Sequence, residues 1–187
     1  MSVQNTAAGV EPADADDPAE RRRSAIVLAG LLILSFAVVL FGNIITQPAV
    51  EGWYATARKS PLVLPFWAAS SFWTIVHILT SVAAWLVWRE RHRRRVTGAL
   101  SLYFTQLVLN ALWRPVLLSL TVRLGETAIW LAAVIMSLLI VTVITMIREF
   151  WHINRGAALM LLPYLAWCVY ALSNNIFLGV LNEVVAG

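Results

Sequence analysis

The chain has 187 residues, of which 60% are hydrophobic and only 13% charged, and its formal net charge is +4. A soluble domain carries about a quarter of its residues as charges, so the composition excludes an ordinary water-soluble fold and indicates an integral membrane protein. The basic balance does not call for nucleic acid, because the arginines gather at the ends of apolar runs, where membrane topology explains them.

A single cysteine, Cys168, cannot form an internal disulfide. The three histidines, His77, His92 and His152, are scattered without metal-ligand spacing, so no metal is expected.

The chain opens on residues 1–22, rich in Ala, Asp, Glu and Pro and without apolar periodicity, which read as a disordered acidic tail. Glu11, Asp14, Asp16, Asp17 and Glu20 argue against a mitochondrial presequence, which is poor in acids. From residue 23 to 187 the sequence reads as one domain. A membrane-crossing helix needs about 20 apolar residues, and five stretches meet that length: 24–46, 66–88, 97–120, 127–147 and 156–180. The expected fold is therefore all-α, an integral membrane bundle of five transmembrane helices.

The first connection, 47–65, is the long one. Pro48, Pro61 and Pro65 limit its regular structure, and Trp53 and Tyr54 predict an ordered cap over one end of the bundle. Arg21, Arg22, Arg23, Arg89, Arg91, Arg93, Arg94, Arg95, Arg148 and Arg155 fall on one side of the predicted spans; Arg58, Lys59, Arg114 and Arg123 fall on the other. In a bacterial plasma membrane this bias puts the N-terminus in the cytoplasm, and the first loop and C-terminus outside. The 89–95 cluster has a second reading as a surface for anionic lipid or a protein partner.

Three spans carry polar stripes. In "YFTQLVLNALWRP", Tyr103, Gln106, Asn110 and Arg114 share one face, with Trp113 beside them. In the second span Trp67, Ser70, Ser71, Thr74, His77 and Ser81 fall within one arc, with Trp73 at its edge. In the fifth, Trp167, Tyr170 and Asn174 lie on one side, with Tyr164 nearby. Interhelical hydrogen bonds account for the serines and for Gln106. They account less well for tryptophans deep in a span, since membrane tryptophans usually sit in interfacial belts. Trp53, Trp85, Trp88, Trp113 and Trp151 fit such belts, whereas Trp73 and Trp167 lie too far inside. Aromatic walls with a few convergent polar groups suit a flat apolar ligand, so the rings of the second, third and fifth spans are expected to converge on a shared hollow. His77, an intramembrane ionisable group, is a further candidate. Arg114 reads either as an interfacial anchor or as a cation at the pocket mouth.

No carboxylate pair, nucleophile–base set or phosphate loop is present, and no span contains an acid, which disfavours proton-coupled transport.

The ordered motifs "WYATARKSP", "FWTIVH", "YFTQLVLNALWRP" and "PYLAWCVYALSNN" resemble the translocator protein family, also called the tryptophan-rich sensory protein or TspO/MBR family, which includes the peripheral benzodiazepine receptor. The likeness covers about residues 30–183 and rests on Trp53, Tyr54, Lys59, Trp73, Thr74, Gln106, Asn110, Trp113, Pro115, Pro163, Tyr164, Trp167, Ala171, Asn175 and Asn182. It implies a five-helix bundle, often a homodimer, with a pocket beneath the first loop. It also implies porphyrin or haem as ligand, with no required cofactor. Asn175 joins the polar contacts by this likeness. Trp73 and Trp167 are the catalytic candidates where bacterial relatives promote light-dependent porphyrin breakdown.

Ser60-Pro61-Leu62-Val63-Leu64-Pro65 departs from the family's aromatic- and proline-rich run, and His77 replaces a common Tyr. No basic residue follows Arg155, so the sterol pattern is missing from the fifth span. The reading favoured here is a tetrapyrrole-binding membrane sensor in contact with membrane lipid. The alternatives are a transporter of a small amphipathic metabolite, a porphyrin-degrading enzyme, and a scaffold acting through the 89–95 arginines.

Overall fold

A computed structural model describes residues 18–183. The 1–17 part of the expected tail lies outside the described residues. The helices are α1 (Pro18–Glu51), α2 (Trp53–Thr56), α3 (Phe66–Arg89), α4 (Thr97–Pro115), α5 (Thr121–Leu124), α6 (Glu126–Ile153), α7 (Arg155–Leu159) and α8 (Leu162–Glu183). Five stretches are long and apolar enough to cross a membrane: Pro18–Glu51, Trp67–His92, Thr97–Leu124, Glu126–Ile153 and Arg155–Asn182.

Several boundaries differ from the expectation: the fourth span runs on past 147 to Ile153, and four others differ for a local reason. Residues 18–22, read as tail, form the first turn of α1, where the Arg91 guanidinium pairs with Glu20. At its other end α1 runs through Pro48 to Glu51. A proline removes one helical hydrogen bond, here the one to the Ile44 carbonyl, and next to it the Ile45 carbonyl also accepts from Ser119 Oγ of the third span at 3.1 Å.

In the third span Pro115 has the same effect. The helix widens into a π-helical turn, Val116–Leu120, and continues as α5 to Leu124. In the fifth span Pro163 lacks the N–H that would reach back to Leu159. The helix therefore breaks at Met160–Leu161 and restarts as α8 with proline in its first turn.

α6 lies against both α4 and α8, and α1 lies against α3 and α4. Around the bundle the spans run second, first, third, fourth, fifth, and the ring closes where the fifth meets the second. Lipid provides little hydrophobic drive between helices, so close approach through small residues matters. Ala83, Ala84, Ala99, Ala132, Ala157 and Ala158 are all buried. α6 buries one stripe at helical spacing, Ala128, Ala132, Met136, Leu139, Val143, Met146 and Phe150, and turns Val134, Leu138 and Val141 outward.

Gly125 alone joins α5 to α6, and its φ of 57° is the one positive value among the described residues. No neighbouring atom would meet an added Cβ, so substitution should strain only the backbone. Gly125→Ala is expected to cost about 1–2 kcal/mol, measured by thermal unfolding in detergent, without changing ligand affinity.

Candidate functional site

At the end of the bundle opposite the arginine-rich turns, the 52–65 loop folds over the helix ends and is pinned at three places. Trp53 Nε1 donates to the Leu118 carbonyl in the π-helical turn at 2.8 Å. Asn182 clasps the backbone of Arg58, accepting from its N–H at 3.1 Å and donating to its carbonyl at 3.0 Å. The Tyr170 hydroxyl accepts from Leu64 N–H at 3.0 Å and donates to the Leu62 carbonyl at 2.9 Å. Lys59 Nζ lies 4.6 Å from the centre of the Tyr54 ring. Burial raises the Tyr54 hydroxyl above its ordinary pKa, with the nearby Arg114 guanidinium offsetting part of the rise, so Tyr54 is neutral at physiological pH. The expected cap is thus an ordered structure.

Beneath the loop, α3 and α8 meet through rings more than through backbone. Phe72 stacks on Trp167 at 4.8 Å between centroids. Trp73 is 5.9 Å from Trp167 and 4.9 Å from His77. Tyr170 packs on Trp167 at 5.1 Å, and Tyr164 lies 6.4 Å from His77. His77 Nδ1–H donates to the Trp73 carbonyl at 2.9 Å, which leaves Nε2 as the acceptor of the neutral ring.

The rings occupy the space between the two spans by packing on one another. Two hollows of the described residues lie elsewhere. One, of about 440 Å³, is at the arginine-rich end. The other, of about 460 Å³, is an apolar groove on the outer surface between α6 and α8.

Two buried polar atoms on α8, one in the ring cluster and one a turn beyond Tyr170, have no hydrogen-bond partner among the described residues: the Trp167 indole N–H and the Asn174 side-chain oxygen. They are seven residues apart on α8, so they share a face and are separated by roughly 10 Å of helix rise. One is a donor and the other an acceptor. Buried groups of this kind are costly to leave unmade and mark places where a ligand could supply the partner.

The other predicted residues divide by what they bond. Gln106 and Asn110 are committed to Tyr164, whose hydroxyl donates to Gln106 Oε1 at 2.8 Å and accepts from Asn110 Nδ2 at 3.0 Å. Trp113 Nε1 donates to Asn175 Oδ1 at 3.1 Å, and Asn175 Nδ2 donates to the Ile129 carbonyl at 3.0 Å, tying three spans together. Arg114 donates to Asn43 Oδ1 on α1. Tyr103 faces the first span, within 3.2 Å of the Leu31 carbonyl and 3.3 Å of Ser81 Oγ.

The arc expected of the second span needs correction. Trp67 is 73% exposed and Thr74 is also exposed, its hydroxyl bonded back to Ser70. Trp67, Thr74 and Ser81 do share a face at heptad spacing, but α1 and α4 cover only its Ser81 end.

Phe72 was missed by the sequence reading, which took only its neighbour Trp73. Its stack on Trp167 needs the α8 partner to be visible. The loop clasp of Asn182 was legible only as a matching position.

A profile of the TspO/MBR family matches residues 30–181. The chain is 28% identical over 157 residues to the tryptophan-rich protein TspO of Archaeoglobus fulgidus, covering 83% of this chain and 96% of that one. It is 30% identical over 122 residues to the translocator protein of Bos taurus, covering 64% of this chain and 68% of the relative. It is 30% identical over 125 residues to the tryptophan-rich sensory protein of Cereibacter sphaeroides, covering 67% and 73% respectively.

Proposed function

Because this chain belongs to the TspO/MBR family of integral membrane proteins, we propose that it is a receptor for tetrapyrroles such as protoporphyrin IX or haem, bound among the rings of α3 and α8. One observation carries the reading. Phe72, Trp73, Trp167 and Tyr170 form an aromatic wall, and on it lie an unspent indole donor and an unspent amide acceptor.

A flat conjugated guest would exchange ring–ring contacts for ring–guest contacts of similar geometry. The Trp167 N–H would meet an acceptor on its periphery and the Asn174 oxygen a donor. Tyr170 bridges the wall to the loop, so entry would be coupled to release of Leu62 and Leu64. The sensory name of one relative accords with a binding event read through that loop. The ten cations of the 21–23, 89–95 and 148–155 segments support placing the N-terminus in the cytoplasm of a cell whose plasma membrane holds the protein.

Titrating the purified protein with protoporphyrin IX should quench its tryptophan fluorescence saturably. Trp73→Phe and Trp167→Phe should each weaken binding by about fivefold or more, in line with the roughly 1 kcal/mol carried by an aromatic pair. An unchanged wild-type signal, or both variants matching wild type, would refute the assignment. Illuminating the complex in air tests the further step: new absorption bands that need both tryptophans would make the receptor a porphyrin-degrading enzyme as well.

A further inference from the structure

The arginine-rich end holds a built feature that topology alone does not require. The cavity of about 440 Å³ is lined by Arg94, Trp151, His152, Ile153 and Arg155, and no carboxylate is among these. Two turns are needed to make it. In the 90–95 turn the Arg93 and Arg94 N–H groups both reach the Glu90 carbonyl at 2.9 Å, which fixes where Arg94 starts. Between α6 and α7, Asn154 adopts an extended conformation and accepts from Ala157 N–H at 3.0 Å, which sets Arg155 directly after the sharp turn.

The two turns are joined by a hydrogen bond from the Arg94 guanidinium to the His152 carbonyl. That bond uses one of five guanidinium donors. Arg155 lies over the Trp151 ring, 5.6 Å from its centroid, and forms no side-chain hydrogen bond among the described residues.

Other arginines at this end stack on indoles as Arg155 does, but away from this cavity, and one of them is also paired with an acid. Arg91 pairs with Glu20 and packs on Trp88, Arg23 also lies over Trp88, and Arg89 lies over Trp85. Among the described residues, Arg94 and Arg155 thus share a cavity with no acid in its lining, and most of their donors have no acceptor there.

We propose that this cavity binds the phosphodiester headgroup of an anionic phospholipid, with Arg94 and Arg155 clamping the phosphate and Trp151 seated at the level of the glycerol. Guanidinium forks match phosphate oxygens bidentately. An indole belongs at the membrane interface, and Trp151 is 44% exposed there. Phospholipid is preferred over an acidic protein because Leu159 and Leu162, about one and two turns on from Arg155 along the same span, are exposed apolar side chains on which acyl chains can lie. This site is at the opposite end of the bundle from the ring cluster and stands independently of the receptor reading.

The test uses the full chain in nanodiscs of phosphatidylcholine doped with phosphatidylglycerol, with retained lipid counted by native mass spectrometry. Wild type should retain phosphatidylglycerol over phosphatidylcholine. An R94Q/R155Q double variant should lose about tenfold of that preference, while R93Q/R95Q, with the same loss of charge outside the cavity, should keep it. Equal losses in both double variants would mean diffuse surface attraction and overturn the site. Should R94Q/R155Q fail to fold, R155K decides: a preference reduced several-fold supports the bidentate clamp, and wild-type preference overturns it. Inorganic phosphate and water-soluble glycerophosphate are the competing arms. Displacement of phosphatidylglycerol by either at millimolar concentration would assign the cavity to a free anion and overturn the lipid assignment.

Discussion

Asn175→Ala should lower the thermal unfolding midpoint in detergent by roughly 4–8 °C, the shift expected for a loss of about 2 kcal/mol in a chain of this size. Asn175 accepts from Trp113 of the third span and donates to the Ile129 carbonyl of the fourth, and it is itself buried. Removing it leaves the Trp113 indole N–H without a partner in a medium that offers no water, and leaves the Ile129 carbonyl with its intrahelical bond alone. The estimate sits at the upper end for intramembrane hydrogen bonds, which average near 0.6 kcal/mol, because two bonds between spans are lost at once and one of them leaves an indole donor unpaired.

The adjacent Asn174→Ala should behave oppositely. Its amide donates only to the Tyr170 carbonyl at 3.1 Å, and its oxygen already lacks a partner. Deleting that unpaired oxygen offsets the lost bond, so stability should change by no more than about 0.5 kcal/mol. Protoporphyrin IX, titrated on the same variant, should bind about fivefold to tenfold more weakly. Equal destabilisation by the two substitutions would show that Asn174 is an ordinary structural residue and remove one of the two polar contacts assigned to the guest.

Tyr170→Phe should loosen the 62–64 segment while leaving the bundle intact. The hydroxyl is the only group removed, and it serves both Leu64 N–H and the Leu62 carbonyl. Two net hydrogen bonds of about 1 kcal/mol each correspond to roughly a tenfold to thirtyfold rise in local opening. Hydrogen exchange at Leu64 reads this directly. The clasp of Asn182 on Arg58 and the bond from Trp53 to Leu118 remain, so exchange near residues 53–58 should hardly change. If the loop gates access to the rings, protoporphyrin IX should also leave the variant faster, with both on-rate and off-rate increased. An exchange increase spread over the whole loop would make Tyr170 a support for the entire cap and not a local latch.

The five spans, their all-helical character and the long first loop were legible in the sequence because each depends on one-dimensional quantities: apolar length, charge at the ends and proline position. The ordered motifs, from Trp53-Tyr54 through Gln106 and Asn110 to Asn182, likewise carried the family. Boundaries were less legible at prolines. Pro48 read as a limit on regular structure, yet it lies within α1; the third span was expected to run through Pro115, and it does so by way of a π-helical turn.

Which polar faces turn inward was decided only by the tertiary structure. Helical periodicity places Trp67, Thr74 and Ser81 on one face, but burial depends on whether another helix covers that face. Here Ser81 meets Leu31 and Tyr103 while Trp67 is left outside. Periodicity likewise could not separate Asn175, consumed in joining three spans, from Asn174, whose oxygen is left over. Adjacent residues on a helix differ by about 100° in direction, and what each direction meets is set by the neighbouring helix.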